Sequence, residues 1–291
     1  MRYLIRIMFI SSVLPQISEK LFLKIYKTLN TMVLVLYVCN RNNGMNSILR
    51  VSVVEYLNAQ PLIYGLENHS ISNKIYLSKD IPSECARKLL SNEVDVGLVP
   101  VAIIPALKRH KIIGNSCIGA IGKVASVLLC SQVPLHEINK VILDYHSRTS
   151  VKLVQILSKY YWKITPDFVD AKENYINEIE DTTAGVIIGN RTFHLNNNYR
   201  FIYDLSEAWY NFTKLPFVFA AWLGNNDISL ELEHEFNEAI NYGLQHIDEV
   251  IQQQQKIFPN YNVDYYLKHN IQFHLDSAMQ NGLELFLSYI K

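Results

Sequence analysis

Arg50-Val51-Ser52-Val53-Val54-Glu55-Tyr56-Leu57-Asn58-Ala59-Gln60-Pro61-Leu62 is the stretch that decides the fold. A β-branched apolar run, led in by Ile48 and Leu49, passes without a long loop into small and polar residues that open a helix. That is the strand-to-helix junction of an α/β protein. The same alternation continues along the chain. Candidate strands fall at 49–54, 74–77, 94–99, 112–117, 126–130, 140–143, 184–188 and 218–222, with segments of helical period between them. The pattern predicts α/β architecture with largely parallel sheets. After Ser150, residues Leu153, Val154, Leu157, Tyr160 and Tyr161 share one stripe, and Leu232, Phe236, Ile240, Leu244, Ile247 and Ile251 repeat the arrangement in a long helix near the C-terminus. Both are expected to cover a sheet.

A length of 291 residues suits about two domains at roughly 150 residues each. With 49% hydrophobic and 19% charged residues, overall disorder is excluded. Lys plus Arg (27) balance Asp plus Glu (27), so there is no electrostatic footprint for nucleic acid or an acidic membrane, and no nucleic-acid partner is expected. The four cysteines contain no C-x-x-C pair and fit neither a zinc site nor a dense disulfide framework, which points to a reducing, cytoplasmic setting. Nine histidines include no H-E-x-x-H, and the five-residue spacing of His269 and His274 does not stack them on one helical face, so no metal is expected. No G-x-S-x-G, P-loop or G-x-G-x-x-G follows a candidate strand, so hydrolase, kinase and dinucleotide readings lose their usual support and no cofactor is expected.

Residues 1–44 read differently from the rest. Arg2 and Arg6 flank an apolar run at 7–14, and a second short run covers 32–39. Neither reaches the roughly 18 apolar residues that span a bilayer, and no small-residue cleavage site follows Leu14. No stable membrane insertion is expected. The segment is read as an extension outside the folded unit, with Met45 as a candidate alternative start.

Two junctions place small polar residues where a helix begins: Glu55-Tyr56-Leu57-Asn58-Ala59 and Asp144-Tyr145-His146-Ser147-Arg148-Thr149-Ser150. Free N–H groups and the positive end of the helix dipole make such a start an anion cup, although Ser, Thr and Asn also serve there as ordinary caps. His146 is either an acid or base near neutral pH or a solvated loop side chain. The aromatic passage Asp204 to Trp222 reads mainly as core, with one face available to wall a ring-shaped ligand.

These pieces stand in order with Val94-Asp95-Val96-Gly97-Leu98-Val99-Pro100, Ser126-Val127-Leu128-Leu129-Cys130-Ser131, Ser147-Arg148-Thr149-Ser150 and Leu215-Pro216-Phe217-Val218-Phe219-Ala220. Together they resemble the chorismate dehydratase family of the futalosine route to menaquinone, from Arg50 to Trp222 and, through a helical tail, to about residue 290. The resemblance implies a type II periplasmic-binding-protein-like fold, with two α/β lobes and a ligand cleft between them. By that likeness 48–133 and 223–291 form one lobe and 134–222 the other. It also implies that chorismate is converted to 3-[(1-carboxyvinyl)oxy]benzoate plus water, making the protein a carbon-oxygen lyase.

Asn58 and Ser126 carry over by the same likeness as the catalytic pair, and Tyr56, Ser147, Arg148, Thr149 and Ser150 as substrate-binding residues. Arg148 is either a ligand clamp or a structural inter-lobe pair. Asn does not titrate, and a Ser without a basic neighbour stays protonated, so this pair orients substrate rather than acting as base. The expected proton acceptor is the enolpyruvyl carboxylate of chorismate itself. Glu55, standing where the family has Ser, is the competing base or else a solvated side chain; Asn190 stands where an Asp is expected. The alternative function is a solute-binding protein of the same fold for a small carboxylate, without catalysis. A regulator's sensing domain lacks a helix-turn-helix in 1–44, and the later naphthoate synthase of the same pathway lacks its N-terminal motif here. The oligomeric state is left open.

Overall fold

A computed structural model describes residues 48–195, 198–224 and 228–290. The extension expected at 1–44 lies outside the described residues. The strands are β1 (Leu49–Val54), β2 (Ile75–Asp80), β3 (Val96–Pro100), β4 (Lys111–Ala120), β5 (Val127–Ser131), β6 (Lys140–Leu143), β7 (Asp167–Asp170), β8 (Thr183–Ile188), β9 (Phe201–Asp204), β10 (Phe217–Gly224) and β11 (Gln272–His274). The helices are α1 (Gln60–Asn68), α2 (Pro82–Leu90), α3 (Arg148–Ile156), α4 (Leu205–Thr213), α5 (Leu230–Gln245), α6 (Ile247–Ile257) and α7 (Ser277–Tyr289).

The strands make two sheets, one ordered β11-β4-β10-β3-β1-β2 and the other β7-β6-β8-β5-β9. All residues of β3, β5 and β10 are buried, as befits central strands covered on both faces. The expectation of largely parallel sheets needs correction, because both are mixed. β1 runs parallel to β2 and β3, but β10 is antiparallel to β3 and β4. In the second sheet β6 is parallel to β7 and β8, while β5 is antiparallel to β8 and β9. The chain enters the second sheet at β5 and returns to the first at β10. The expected crossings after residues 133 and 222 therefore shift: 127–131 pairs in the second sheet and 217–222 in the first. A fully buried apolar strand carries no mark of which sheet it joins.

The strands missing from the sequence reading are all edges: β7, β9 and β11. Edge strands are short and polar, so their alternation is weak. The long C-terminal helix is in fact two, α5 and α6, broken at His246, whose ring Nδ1 lies 2.8 Å from the Tyr242 carbonyl oxygen. α1 and α5 approach closely because each brings a glycine to the contact: a Cβ on Gly65 would stand 2.0 Å from the Ala239 oxygen, and one on Gly243 1.9 Å from that of Pro61. This contact seats α1, and with it the turn Leu57–Ala59 that precedes it, on the first lobe. No helix among the described residues is long and apolar enough to cross a membrane.

Candidate active-site cleft

Where the two sheets face each other, a cleft of about 490 Å³, its mouth included, is lined mainly by apolar side chains with Tyr56, Asn58, Ser126, Ser147 and Ser150 among them. Asn58 sits in the turn between β1 and α1; Ser126 immediately precedes β5; Ser147 caps α3. Five of the seven residues carried over from the resemblance thus converge on one space. Phe219 and Ala220 of β10 contribute to the wall, so part of the aromatic passage does face the cleft while Trp209, Phe217 and Trp222 are core.

The other two residues stand elsewhere. Arg148 is exposed and outside the lining, so the ligand-clamp expectation is not carried by this arrangement. Thr149 is fully buried, and its Oγ1 accepts from the Ala102 N–H at 3.2 Å, a bond from the second lobe to the first. Both follow from helix geometry. Ser147 and Ser150 are three apart and share a face, which leaves the two residues between them to point away. Ser150 donates to Ser147 through both its N–H (3.2 Å) and its hydroxyl (3.1 Å), so the cap reading holds, and the same pair lines the cleft. Glu55 is exposed and absent from the lining, the solvated alternative. Among the described residues lining the cleft there is no Asp, Glu, Lys, Arg or His.

Ser126 is presented by an unusual backbone. Ala125 takes a left-handed φ of 60°, and its N–H and that of Val124 donate to Asp204 Oδ2 at 2.7 and 3.0 Å. Asp204 Oδ1 meanwhile caps α4 by accepting from Ser206 and Glu207. One carboxylate thus over-determines a strained residue next to the cleft. Burial raises the Asp204 carboxyl, opposed by these four N–H donors.

A second network closes the opposite side. Asp144, wholly buried, pairs with Arg191 and accepts from Tyr175 Oη (2.9 Å), the Ile188 N–H (3.2 Å) and the His146 N–H (2.8 Å). His146 Nδ1 lies 2.6 Å from Tyr56 Oη across the lobes. Burial pushes the Tyr56 phenol well above its usual range, so it keeps its proton, and which group donates in that bond is set by the His146 tautomer. Gly189 has a φ of 65°, and a Cβ there would stand 2.7 Å from the Tyr56 ring, so glycine is what lets the ring lie against the second lobe. Asn190, in the place of an expected Asp, accepts from the Leu57 N–H at 3.0 Å. An amide oxygen serves that purpose as well as a carboxylate oxygen does.

Burial, reinforced by nearby Arg191 and opposed by Asp144, holds the His146 pKa below its ordinary 6.5. The unfolded chain therefore binds more protons than the folded one between the two values, and stability rises with pH across that window. His146's contribution is complete above about 6.5 and is lost as pH falls through its folded value. Denaturant unfolding at several pH values between 5 and 7 should show wild type losing stability on acidification more steeply than His146→Gln. Equal slopes in the two proteins would remove His146 as the cause.

Sequence reasoning missed Asp204, Asp144 and Arg191, whose roles depend on packing between distant segments. Asp144 and Arg191 did belong to or flank quoted motifs, but nothing in their spacing marks the pair. Cys85, Cys117 and Cys130 are free and buried, their thiols pushed up to about 12 by burial, which makes them packing residues. Among the described residues no group of three or more His, Cys, Asp or Glu is placed to hold a metal ion.

Two mixed α/β lobes enclosing such a cleft define the periplasmic-binding-protein-like class. The chain is similar in structure to protein AF1704 of Archaeoglobus fulgidus, with a TM-score of 0.65 and 14% identity over 83% of this chain and 96% of that one. It is also similar to the Candida albicans CA3427 gene product, described as having the generic periplasmic binding protein fold, with a TM-score of 0.56 and 13% identity over 83% and 89% of the two chains. Residues 49–291 match the family described as menaquinone biosynthesis, and the chain belongs to that family. A curated relative, the chorismate dehydratase of Thermus thermophilus, is 28% identical over 231 residues, 71% of this chain and 83% of the relative.

Proposed function

We propose that the protein is a chorismate dehydratase, a carbon-oxygen lyase that removes water from chorismate to give 3-[(1-carboxyvinyl)oxy]benzoate. Membership of the menaquinone-biosynthesis family and the named relative support the pathway and the substrate. The observation that carries the reading is the cleft's chemistry: Asn58, Ser126, Ser147 and Ser150 converge on an otherwise apolar space whose lining has no ionisable carboxylate, lysine or histidine.

The reaction breaks the C3–H and C4–O bonds, and the electron pair from C3–H becomes the new ring π bond. The product ring is aromatic, which supplies the driving force. The C3 proton is vinylogously acidified by the ring carboxylate, so donors that hold this carboxylate stabilise the dienolate as charge develops. The N-terminus of α3, with its Ser147 and Ser150 hydroxyls, is the anion cup for this task. Because no lining side chain is a base at neutral pH, the enolpyruvyl carboxylate takes the C3 proton and passes it to the departing C4 hydroxyl, so water leaves. Asn58 and Ser126 orient the groups involved. An apolar wall that excludes water strengthens each of these interactions.

The test is incubation of the full chain with chorismate, without added metal or cofactor, following aromatic absorbance and the mass loss of one water. Product formation is expected. Binding without turnover would instead move the protein to the solute-binding class.

A further inference from the structure

Behind Asn58 and Ser126 lies a third polar group, from a segment more than a hundred residues away. Tyr266 opens the short π-helix Tyr266–Asn270 and is 1% exposed. Its hydroxyl donates to Ser126 Oγ at 2.8 Å, and the Asn58 side-chain amide is its other polar neighbour. The phenol keeps its proton, because burial pushes its pKa far above the usual range. It thus has one proton to give. Having given that proton to Ser126, the Tyr266 oxygen is only an acceptor towards Asn58, so the NH₂ is the half of the amide that suits it and Oδ1 is left over. Asn58 Oδ1 is indeed buried without a hydrogen-bond partner among the described residues. Ser126, accepting from Tyr266, keeps its own proton, and no other hydrogen bond of that hydroxyl is seen among the described residues.

We propose that Tyr266 is a positioning residue that sets the hydrogen-bond polarity of the cleft, presenting Asn58 Oδ1 as an acceptor and the Ser126 hydroxyl as a donor. This rests on the dehydratase reading and extends it by assigning what each group meets. The acceptor suits the proton of the C4 hydroxyl, and the donor suits a carboxylate oxygen. A buried acceptor that no protein group satisfies favours a ligand that brings a donor to it. The Tyr266 ring is held independently of its hydroxyl: Phe193 of the second lobe packs edge-on at 5.4 Å, and Tyr261 lies 5.6 Å away. Removing the hydroxyl alone leaves these ring contacts in place.

Tyr266→Phe should lower kcat by about 10- to 100-fold, the worth of a buried hydrogen bond realised in the transition state, with KM changed less than about threefold. In a Ser126→Ala background the same substitution should cost less than it does alone, because part of its effect runs through Ser126. Unchanged kcat, a rise in KM with kcat retained, or losses that multiply independently would each overturn the assignment. If wild type makes no product, the dehydratase reading falls and the inference with it; if wild type turns over and Tyr266→Phe equals it, the inference falls alone. Should Tyr266→Phe fail to fold, 3-fluorotyrosine at 266 keeps the ring and hydroxyl while making the phenol more acidic. A shift in kcat at constant KM then supports the role, and wild-type kcat overturns it.

Discussion

Asn58→Ala is expected to lower kcat for chorismate dehydration by about 100- to 1000-fold, the usual cost of deleting one preorganised polar group at the reacting atoms, without a matching loss of stability. The two halves of this expectation have different origins. On the proposed function the amide is the group that holds the leaving hydroxyl, and alanine cannot replace it. In folding the balance is nearly even. The substitution gives up the amide's polar interaction with the Tyr266 hydroxyl, worth no more than about 1 kcal/mol, but it also removes Oδ1, a buried acceptor with no partner among the described residues, whose desolvation costs about 1–3 kcal/mol. Steady-state rates and thermal unfolding measured on the same preparation decide it. A variant that keeps activity within a few-fold of wild type removes Asn58 from the reaction; a melting point that drops with activity makes it a structural residue.

That Asn58 and Ser126 share a cleft was legible in the sequence only through resemblance, since composition and spacing say nothing about two residues 68 positions apart. The alternation of strands and helices was legible because central strands are apolar throughout: 49–54 and 140–143 coincide with β1 and β6. Edges were not, because Asp167–Asp170 and Phe201–Asp204 carry too little apolar alternation to be seen. The strand directions escaped as well. β5 and β10 look like any buried parallel strand, and only their partners show that the chain reverses at each crossing between lobes. Within the site, Ser147 and Ser150 were found because a helix start leaves a local signature. Tyr266 was not, because its meaning lies in a hydrogen bond to a residue 140 positions earlier. Arg148 and Thr149, quoted in the same four-residue motif, lie outside the cleft lining, because on a helix only the motif's ends share a face.

Arg191→Met should behave oppositely to Asn58→Ala. The Asp144 side chain has no exposure, and Arg191, itself 27% exposed, is its one cationic partner among the described residues. Removing the guanidinium leaves a buried carboxylate held only by the Tyr175 hydroxyl and the Ile188 and His146 N–H groups. Breaking a buried pair from one side costs about 3–5 kcal/mol, which for a unit of this size lowers the melting temperature by on the order of 10 °C. Removing both charges, in Asp144→Asn with Arg191→Met, should restore a good part of the loss, because the cost comes from the stranded charge more than from the missing attraction. A single variant within about 1 kcal/mol of wild type would mean that solvent reaches the pair and screens it. The functional consequence is indirect. Asp144 fixes the backbone at His146 and Ile188, each one residue away from a cleft-lining Ser147 or Gly189. Arg191→Met should therefore raise KM as the anion cup loosens, with activity and stability falling together, whereas Asn58→Ala loses activity alone. The contrast separates the residues that hold the cleft in shape from those that act inside it.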